Sequence, residues 1–458
     1  MKKAMDRQLQ TTPKERVSYG LYFMGQNFFY FFITMFVQVF FTDIGITAAA
    51  VGIIFIIARI WDAVNDPIFG VIVDRCRLKS GRFLPWIRIS TFLIPIFTVL
   101  IFLTPASFPP MLKTILAGTL YICWGMSYTI CDVPIFALTT AMTGNLQERV
   151  SLISLGRVTG LIGMLLINVI APILRPKIGW LGISILFALV GFLCMLPIGV
   201  NTKERMVDNH SEPITLKNII TYLSKNKYLL IFYGAMIVSS VTNMLQTMGV
   251  YFARVNLGDE SLFAAIILTM ILPMVLAAAV MPQFTKRFDK IYIYMSGLII
   301  TVVFSIISYF VGYSNFIIFL IISAVRGLGM GIIMTMMFMF SADCVEYGTY
   351  KTGFRAEGIT FSIQTFATQM IGAVSSALGM LMLGAFGFVE GAKAVQPQSA
   401  VDGIWFMYSI FPAFGAILAL ILIICFYKLR DKDVQIMTNY NQGKITREEA
   451  QSQLSKKY

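Results

Sequence analysis

The sequence predicts an all-α membrane protein of twelve transmembrane helices in two six-helix bundles, with both termini in the cytoplasm. Three observations carry that reading. The 458 residues are 57% hydrophobic and 13% charged, with a mean hydropathy of +0.77, a balance that belongs to polytopic membrane chains. Apolar runs of the roughly 20 residues that a spanning helix needs recur along the whole sequence, separated by short polar interruptions. Most Lys and Arg gather in the N-terminus, the C-terminal tail and alternate loops, and by the positive-inside rule these face the cytoplasm.

Taken in order, the chain opens on a polar, basic stretch, MKKAMDRQLQTTPKER, before a long apolar run that carries no small-residue cleavage site. That run is too long for a signal-peptide core and reads as the first span. Spans one to six are expected near 17–42, 49–73, 85–104, 112–141, 150–174 and 180–200. Spans seven to twelve are expected near 228–254, 262–283, 291–313, 316–342, 356–387 and 404–428. The domains are therefore an N-terminal bundle over 1–200, a polar cytoplasmic linker over 201–227, a C-terminal bundle over 228–429 and a cytoplasmic tail over 430–458, whose TREEAQSQLSKK end suits a short surface helix. Six plus six helices around a central basic loop is the layout of transporters built from repeats, with a site near the midplane.

The net charge of +13 follows from this topology and does not call for a nucleic-acid partner. The six cysteines are scattered without a CxxC pair, and they read as small apolar packing residues. The only histidine, His210, lies in the linker, so a coupling proton or ion must be handled by carboxylates.

Membrane-embedded acids are few: Asp62, Asp66 and Asp132, all in the N-terminal half. A charge at mid-bilayer depth costs at least ~2.5–3.5 kcal/mol on insertion scales and marks a relay or transport site. Arg59, Asp62 and Asp66 stand at i, i+3 and i+7 of span two, on one helical face. The two acids lie about 6 Å apart along the axis, close enough to approach one ion, with Asn65 beside them. Two such carboxylates repel unless a cation or proton sits between them, which is the logic of a coupling-ion site. The competing reading is a buried ionic scaffold neutralised by Arg59 and Arg157. Span four places Asp132 mid-membrane, with the Thr129 hydroxyl one turn earlier and Pro134 suited to a kink. Span five adds Arg157, whose planar fork suits a carboxylate or sugar hydroxyls. Arg326, in span ten, fits a packing or snorkelling role better than a site role. The segment SADCVEYGTYKTGFRAEG after span ten reads as a charged loop, in which Asp343, Glu346, Lys351, Arg355 and Glu357 would form gating ion pairs.

ARIWDAVNDPIFGVIVDR, GRFLPW, SYTICDVP and ADCVEYGTYKTGFRAEGITFSIQT, in that order along nearly the whole chain, resemble the signatures of the glycoside/pentoside/hexuronide:cation symporters, the melibiose-permease type of the major facilitator superfamily. The resemblance implies the major facilitator fold, a cation site at Asp62, Asn65, Asp66 and Thr129 (with Asp62 and Asp66 holding Na⁺ if sodium is the ion), and a sugar site at Asp132 and Arg157. Phe136 falls where such proteins carry a stacking aromatic ring. Asp74, Arg75 and Arg82 resemble the superfamily's loop between helices two and three, a cytoplasmic latch. Two positions depart. Asn27 stands where these relatives have an aspartate, and Gln369 where many have a lysine, so an acid and a base have both become amides. Amides still donate to and accept from hydroxyls, and the expected effect is a changed substrate, toward a larger or neutral glycoside.

The expected function is thus Na⁺- or H⁺-coupled symport of a sugar or glycoside by a non-enzymatic, monomeric protein of the bacterial-type plasma membrane. It needs no cofactor, contacts lipid and has no nucleic-acid partner. A lysolipid transporter of the same fold is the alternative. An intramembrane prenyltransferase is disfavoured, because Pro67, Ile68 and Phe69 follow Asn65-Asp66 where further acids would be needed.

Overall fold

A computed structural model of the chain describes residues 10–75, 81–205, 222–353 and 357–456. Its architecture is a succession of helices: α1 Pro13–Asp43, α2 Ala48–Arg75, α3 Leu84–Phe102, α4 Pro110–Met142 and α5 Leu146–Asn201. After the linker come α6 Lys227–Val238, a 3₁₀ turn Ser239–Asn243, α7 Met244–Thr247 and α8 Gly249–Val255. Then follow α9 Leu262–Phe284, α10 Lys290–Val311, α11 Phe316–Thr352, α12 Glu357–Ala385, α13 Gln398–Ser409, α14 Phe411–Phe426, α15 Asp431–Asn441 and α16 Arg447–Gln453. Among the described residues, eleven helical stretches are long and apolar enough to cross a membrane. The 56 residues of α5 would run ~84 Å if straight, far more than one bilayer crossing needs. They bend at Gly179, whose φ of 73° and ψ of 177° interrupt the helix.

Helix starts follow capping chemistry. Thr12 and Glu15 form a reciprocal capping box with Pro13 in the first turn of α1. The Asn145 and Asn315 side chains accept the first free N–H groups of α5 and α11.

The chain divides into two compact units. The first comprises Met1–Ser211, Ala253–Ala264 and Met380–Ala400. In it α1 lies along α5 so closely that a Cβ on Gly163 would stand 2.6 Å from the Met24 carbonyl oxygen, and one on Gly25 would stand 2.7 Å from that of Gly191. Only glycine allows such an approach of two membrane helices. Phe32, Phe102 and Trp180 fill the adjoining core, with Phe102 and Trp180 stacked at 5.6 Å. The second unit comprises Glu212–Phe252, Ala265–Gly379 and Val401–Tyr458. Its core joins Phe232, Tyr294, Phe340 and Tyr427, all nearly inaccessible. Many Leu, Ile and Val side chains on both units are exposed, as a lipid-facing surface requires.

Three local expectations change. The charged segment after span ten is not a loop: α11 continues through it to Thr352 and ends on Gly353 in the left-handed conformation at φ 71°. Arg326 does not snorkel, because it is fully buried. Its Nη2 donates to the carbonyl oxygens of Tyr408 and Ser409 at 2.9 and 3.1 Å. Those two carbonyls lie at the break between α13 and α14. Pro412 has no N–H to offer Tyr408 four residues back, and the Ala413 N–H turns to Ile410 at 2.9 Å in place of Ser409. Arg326 thus replaces both missing donors. The polar tail, finally, contains α15 ahead of the expected terminal helix, and Val434 and Met437 of α15 are buried in the second unit's core.

Candidate transport site

In the first unit α2 and α4 bring the expected ion residues together. The Thr129 hydroxyl of α4 donates to Asp66 Oδ1 of α2 at 2.8 Å, and it also reaches the Gly125 carbonyl at 3.2 Å. The Asn65 amide contacts the same Asp66 carboxylate. Asp62, one turn earlier, is paired with Arg59 Nη1 at 3.4 Å. Gly125 makes room for it: a Cβ there would stand 3.3 Å from Asp62 Oδ1. Two carboxylates, a hydroxyl and an amide therefore share one polar patch, half-buried apart from the buried Thr129. These hard oxygen donors suit an alkali ion or a proton rather than a soft metal.

Asp132 lies one turn beyond Thr129 on α4. Its Oδ1 accepts from Gln26 Nε2 of α1 at 2.9 Å, while the opposite charges of Arg157 and Asp132 act on each other through space. Gln26 is a residue that the sequence does not single out. Its signal is the adjacent amide pair Gln26-Asn27 in an otherwise aromatic span, and only packing decides which amide meets the acid. Asn27 Nδ2 instead donates to the Phe23 carbonyl of its own helix at 2.8 Å and lies against Gly160. The Arg157 guanidinium sits 5.5 Å from the Phe136 ring, whose edge meets Phe23 at 5.2 Å. Arg157 is exposed in the described chain, whereas Phe136 and Asp132 are half-buried. Asn27, Asp132, Phe136 and Arg157 are thus neighbours within the first unit, with the ion residues one helical turn away. Gln369 is half-buried on α12 in the second unit.

The expected gating residues divide. The side chains of Asp74, Arg75 and Glu357, and all of Arg355, lie outside the described residues. Glu346 and Lys351 stand on the last turns of α11, and Glu346 Oε2 accepts from Asn441 of α15 at 2.8 Å. The Arg82 side chain lies over the Phe83 ring at 5.1 Å, while its backbone N–H donates to Glu204 Oε2 at 2.7 Å. Glu204 Oε1 also takes the N–H groups of Phe83 and Leu84, at 2.8 and 2.7 Å. A single carboxylate thereby satisfies three donors at the start of α3, where the helix dipole favours negative charge. Glu204 is likewise hidden in the sequence, where it is one of many acids in a polar linker.

Comparison with known proteins shows the family to which the chain belongs. Residues 18–431 match the family described as MFS/sugar transport protein. The chain is 32% identical over 452 residues to the "Uncharacterized symporter YjmB" of Bacillus subtilis (strain 168), covering 96% of this chain and 97% of that protein. It is 28% identical to the "Isoprimeverose transporter" of Lactiplantibacillus pentosus, covering 93% and 91% of the two chains. Among solved structures, a bacterial homologue of the human lysosomal transporter Spinster, inward-facing and unoccupied, superposes with a TM-score of 0.70 at 15% identity, over 92% of this chain and 99% of that one. The chain is a transporter and not an enzyme, an integral multi-pass protein of the kind found in the bacterial plasma membrane, and it belongs to the MFS sugar-transport family.

Proposed function

We propose that the protein is a cation-coupled symporter of a sugar or glycoside, working by alternating access through twelve spans with both termini in the cytoplasm. Counting α5 as two crossings on either side of Gly179 turns the eleven apolar stretches into twelve, an even number, as a cytoplasmic placement of both termini requires. The coupling ion, Na⁺ or H⁺, occupies Asp62, Asn65, Asp66 and Thr129. The sugar is held by Asn27, Asp132, Phe136 and Arg157, and Gln369 is the remaining candidate for a sugar contact. The observation that carries this reading is the Thr129 to Asp66 hydrogen bond. It joins α2 to α4, the helix that also holds Asp132, so a change of charge at the ion patch is felt one turn away at the sugar-facing acid. Such linkage is reciprocal: the ion raises sugar affinity by the factor by which sugar raises ion affinity. The name of the isoprimeverose-carrying relative supports a glycoside as cargo, and the two amides at Asn27 and Gln369 favour a neutral one.

The test is uptake of labelled glycosides and lysolipids into proteoliposomes under imposed sodium or proton gradients. Glycoside accumulation against its gradient, driven by one ion, is expected. The Asp66→Ala variant should lose that accumulation entirely. Undiminished uphill uptake in Asp66→Ala would sink the ion assignment, and uptake of lysolipid alone would replace the cargo.

A further inference from the structure

The first compact unit contains a set of contacts that none of the site residues explains. It includes two short segments from late in the chain, Ala253–Ala264 and Met380–Ala400. Both are tied by charge to the early helices. Arg254 Nη1 bonds Asp43 Oδ1, at the end of α1, at 2.6 Å, and its Nη2 reaches the Ala392 carbonyl. Asp43 Oδ2 at the same time accepts from Trp180 Nε1 at 2.9 Å. Arg175 Nε bonds Glu260 Oε1 at 2.9 Å, and the Arg175 guanidinium lies 5.0 Å from the Trp180 ring. Glu390 Oε1 accepts from the Ala48 N–H at the start of α2 at 3.2 Å, and the Gly391 N–H donates to the Thr42 carbonyl at 2.9 Å. The acids are well sheltered, with side-chain exposures of 5% for Asp43 and 3% for Glu260. Shelter of this kind makes the loss of one partner costly, because the other charge is left buried and uncompensated.

These residues fall at the ends of α1 and α8, at the start of α2, in the connections after α8 and α12, and beside the Gly179 break of α5, a side that carries few Lys and Arg. Under the topology proposed above, on which this inference rests, that side is extracellular. We propose that Asp43, Arg175, Arg254, Glu260 and Glu390 form an extracellular latch. It closes the outer face by fastening the connections after α8 and α12 to the end of α1, the start of α2 and the Gly179 break of α5, and it must open before cargo enters from outside. Trp180 is its keystone, because its ring and its N–H serve both ion pairs at once.

The latch is tested by thiol labelling of intact cells with a membrane-impermeant maleimide, scored against the same protein without the introduced cysteine. Ala48→Cys reports on the latch, since Ala48 is fully buried beneath Glu390. Lys393→Cys reports on sidedness, since Lys393 is exposed in the same connection. Labelling of Lys393→Cys from outside is expected, with little labelling of Ala48→Cys. Adding Asp43→Asn, or separately Arg175→Gln, should raise the labelling rate of Ala48→Cys on the order of tenfold, within the usual range of couplings between conformational states. The exchanged pair Asp43→Arg with Arg254→Asp should restore protection. If Lys393→Cys is silent from outside, the topology fails and the latch fails with it. If Lys393→Cys labels but Ala48→Cys labels equally with and without the pair variants, the topology stands and the latch is refuted.

Discussion

At the scale of single residues, the ion patch turns on one hydroxyl. The Thr129 hydroxyl donates a hydrogen bond to Asp66 at 2.8 Å, and a hydrogen bond to a charged acceptor contributes about 1.5–3 kcal/mol. In Thr129→Val the shape persists but the donor is gone, so the ion dependence of uptake should shift to on the order of tenfold higher ion concentration. Thr129→Ser should stay close to the parent. Uptake measured against sodium concentration and against pH checks both, and an unmoved Thr129→Val curve would remove Thr129 from the site. The acids themselves were legible in the sequence, because a carboxylate in an apolar span is costly enough to demand a partner, an ion or a proton. Their partners were less so. Asn27 stood out as a departure from a resembling family, yet it is Gln26, one residue earlier, that bonds Asp132. A shift of one residue is about 100° on a helix, and it is fixed by how α1 packs on α5 rather than by either side chain's chemistry.

Elements show the same division between local and tertiary causes. Most span ends read from hydropathy lie within a few residues of the helix ends, but the breaks inside spans seven and twelve, and the start of α13 at Gln398 rather than near 404, were not legible. Nor was the continuation of α11 to Thr352, since Asp343, Glu346 and Lys351 look like loop residues until their partners are known. Lys290 of α10 holds Asp343 at 2.5 Å, and Asn441 holds Glu346. Arg326 is the clearest case of a residue whose role lies wholly in another element's defect. It caps two carbonyls that Pro412 leaves open, and leaving a buried acceptor without a donor costs about 1–3 kcal/mol. Arg326→Met should therefore lower stability by roughly 2–6 kcal/mol, from two such acceptors, seen as earlier thermal unfolding of the purified protein in detergent. Pro412→Ala returns an N–H to the position that faces Tyr408, so Arg326→Met should cost less in that background. Equal losses in the two backgrounds would mean that the arginine acts through something other than the break, which a double-mutant cycle separates cleanly.

Over the whole molecule, the polar tail is the part whose physical role differs most from its composition. From Asp431 onward the sequence is hydrophilic, which favours a solvated appendage. The structure makes it a component of the second unit: Val434, Met437 and Ala450 are buried among Tyr222, Tyr347 and Tyr350. Lys290 donates its backbone N–H to Asp431 at 3.0 Å, and Asn441 reaches both the carbonyl and the carboxylate of Glu346 at 3.0 and 2.8 Å. Asp433 closes the far end by accepting from the Ser455 N–H and hydroxyl, at 2.8 and 2.6 Å. Within α16 the Thr446 backbone N–H and hydroxyl hold the exposed Glu449 carboxyl below its ordinary value, so this last helix is started by its own capping box. Burial of a Val or Met side chain contributes about 1.5–3 kcal/mol, so truncation after Arg430 should remove several kcal/mol and leave the ring cluster at the ends of α6 and α11 open to water. Truncation after Gly443 keeps α15 and should cost much less. Thermal unfolding in detergent and the amount of protein reaching the membrane should fall in that order. If both truncations matched the full chain in both measurements, α15 would be resting on the second unit without stabilising it, and the Asn441 to Glu346 contact could not hold that end of α11 in place.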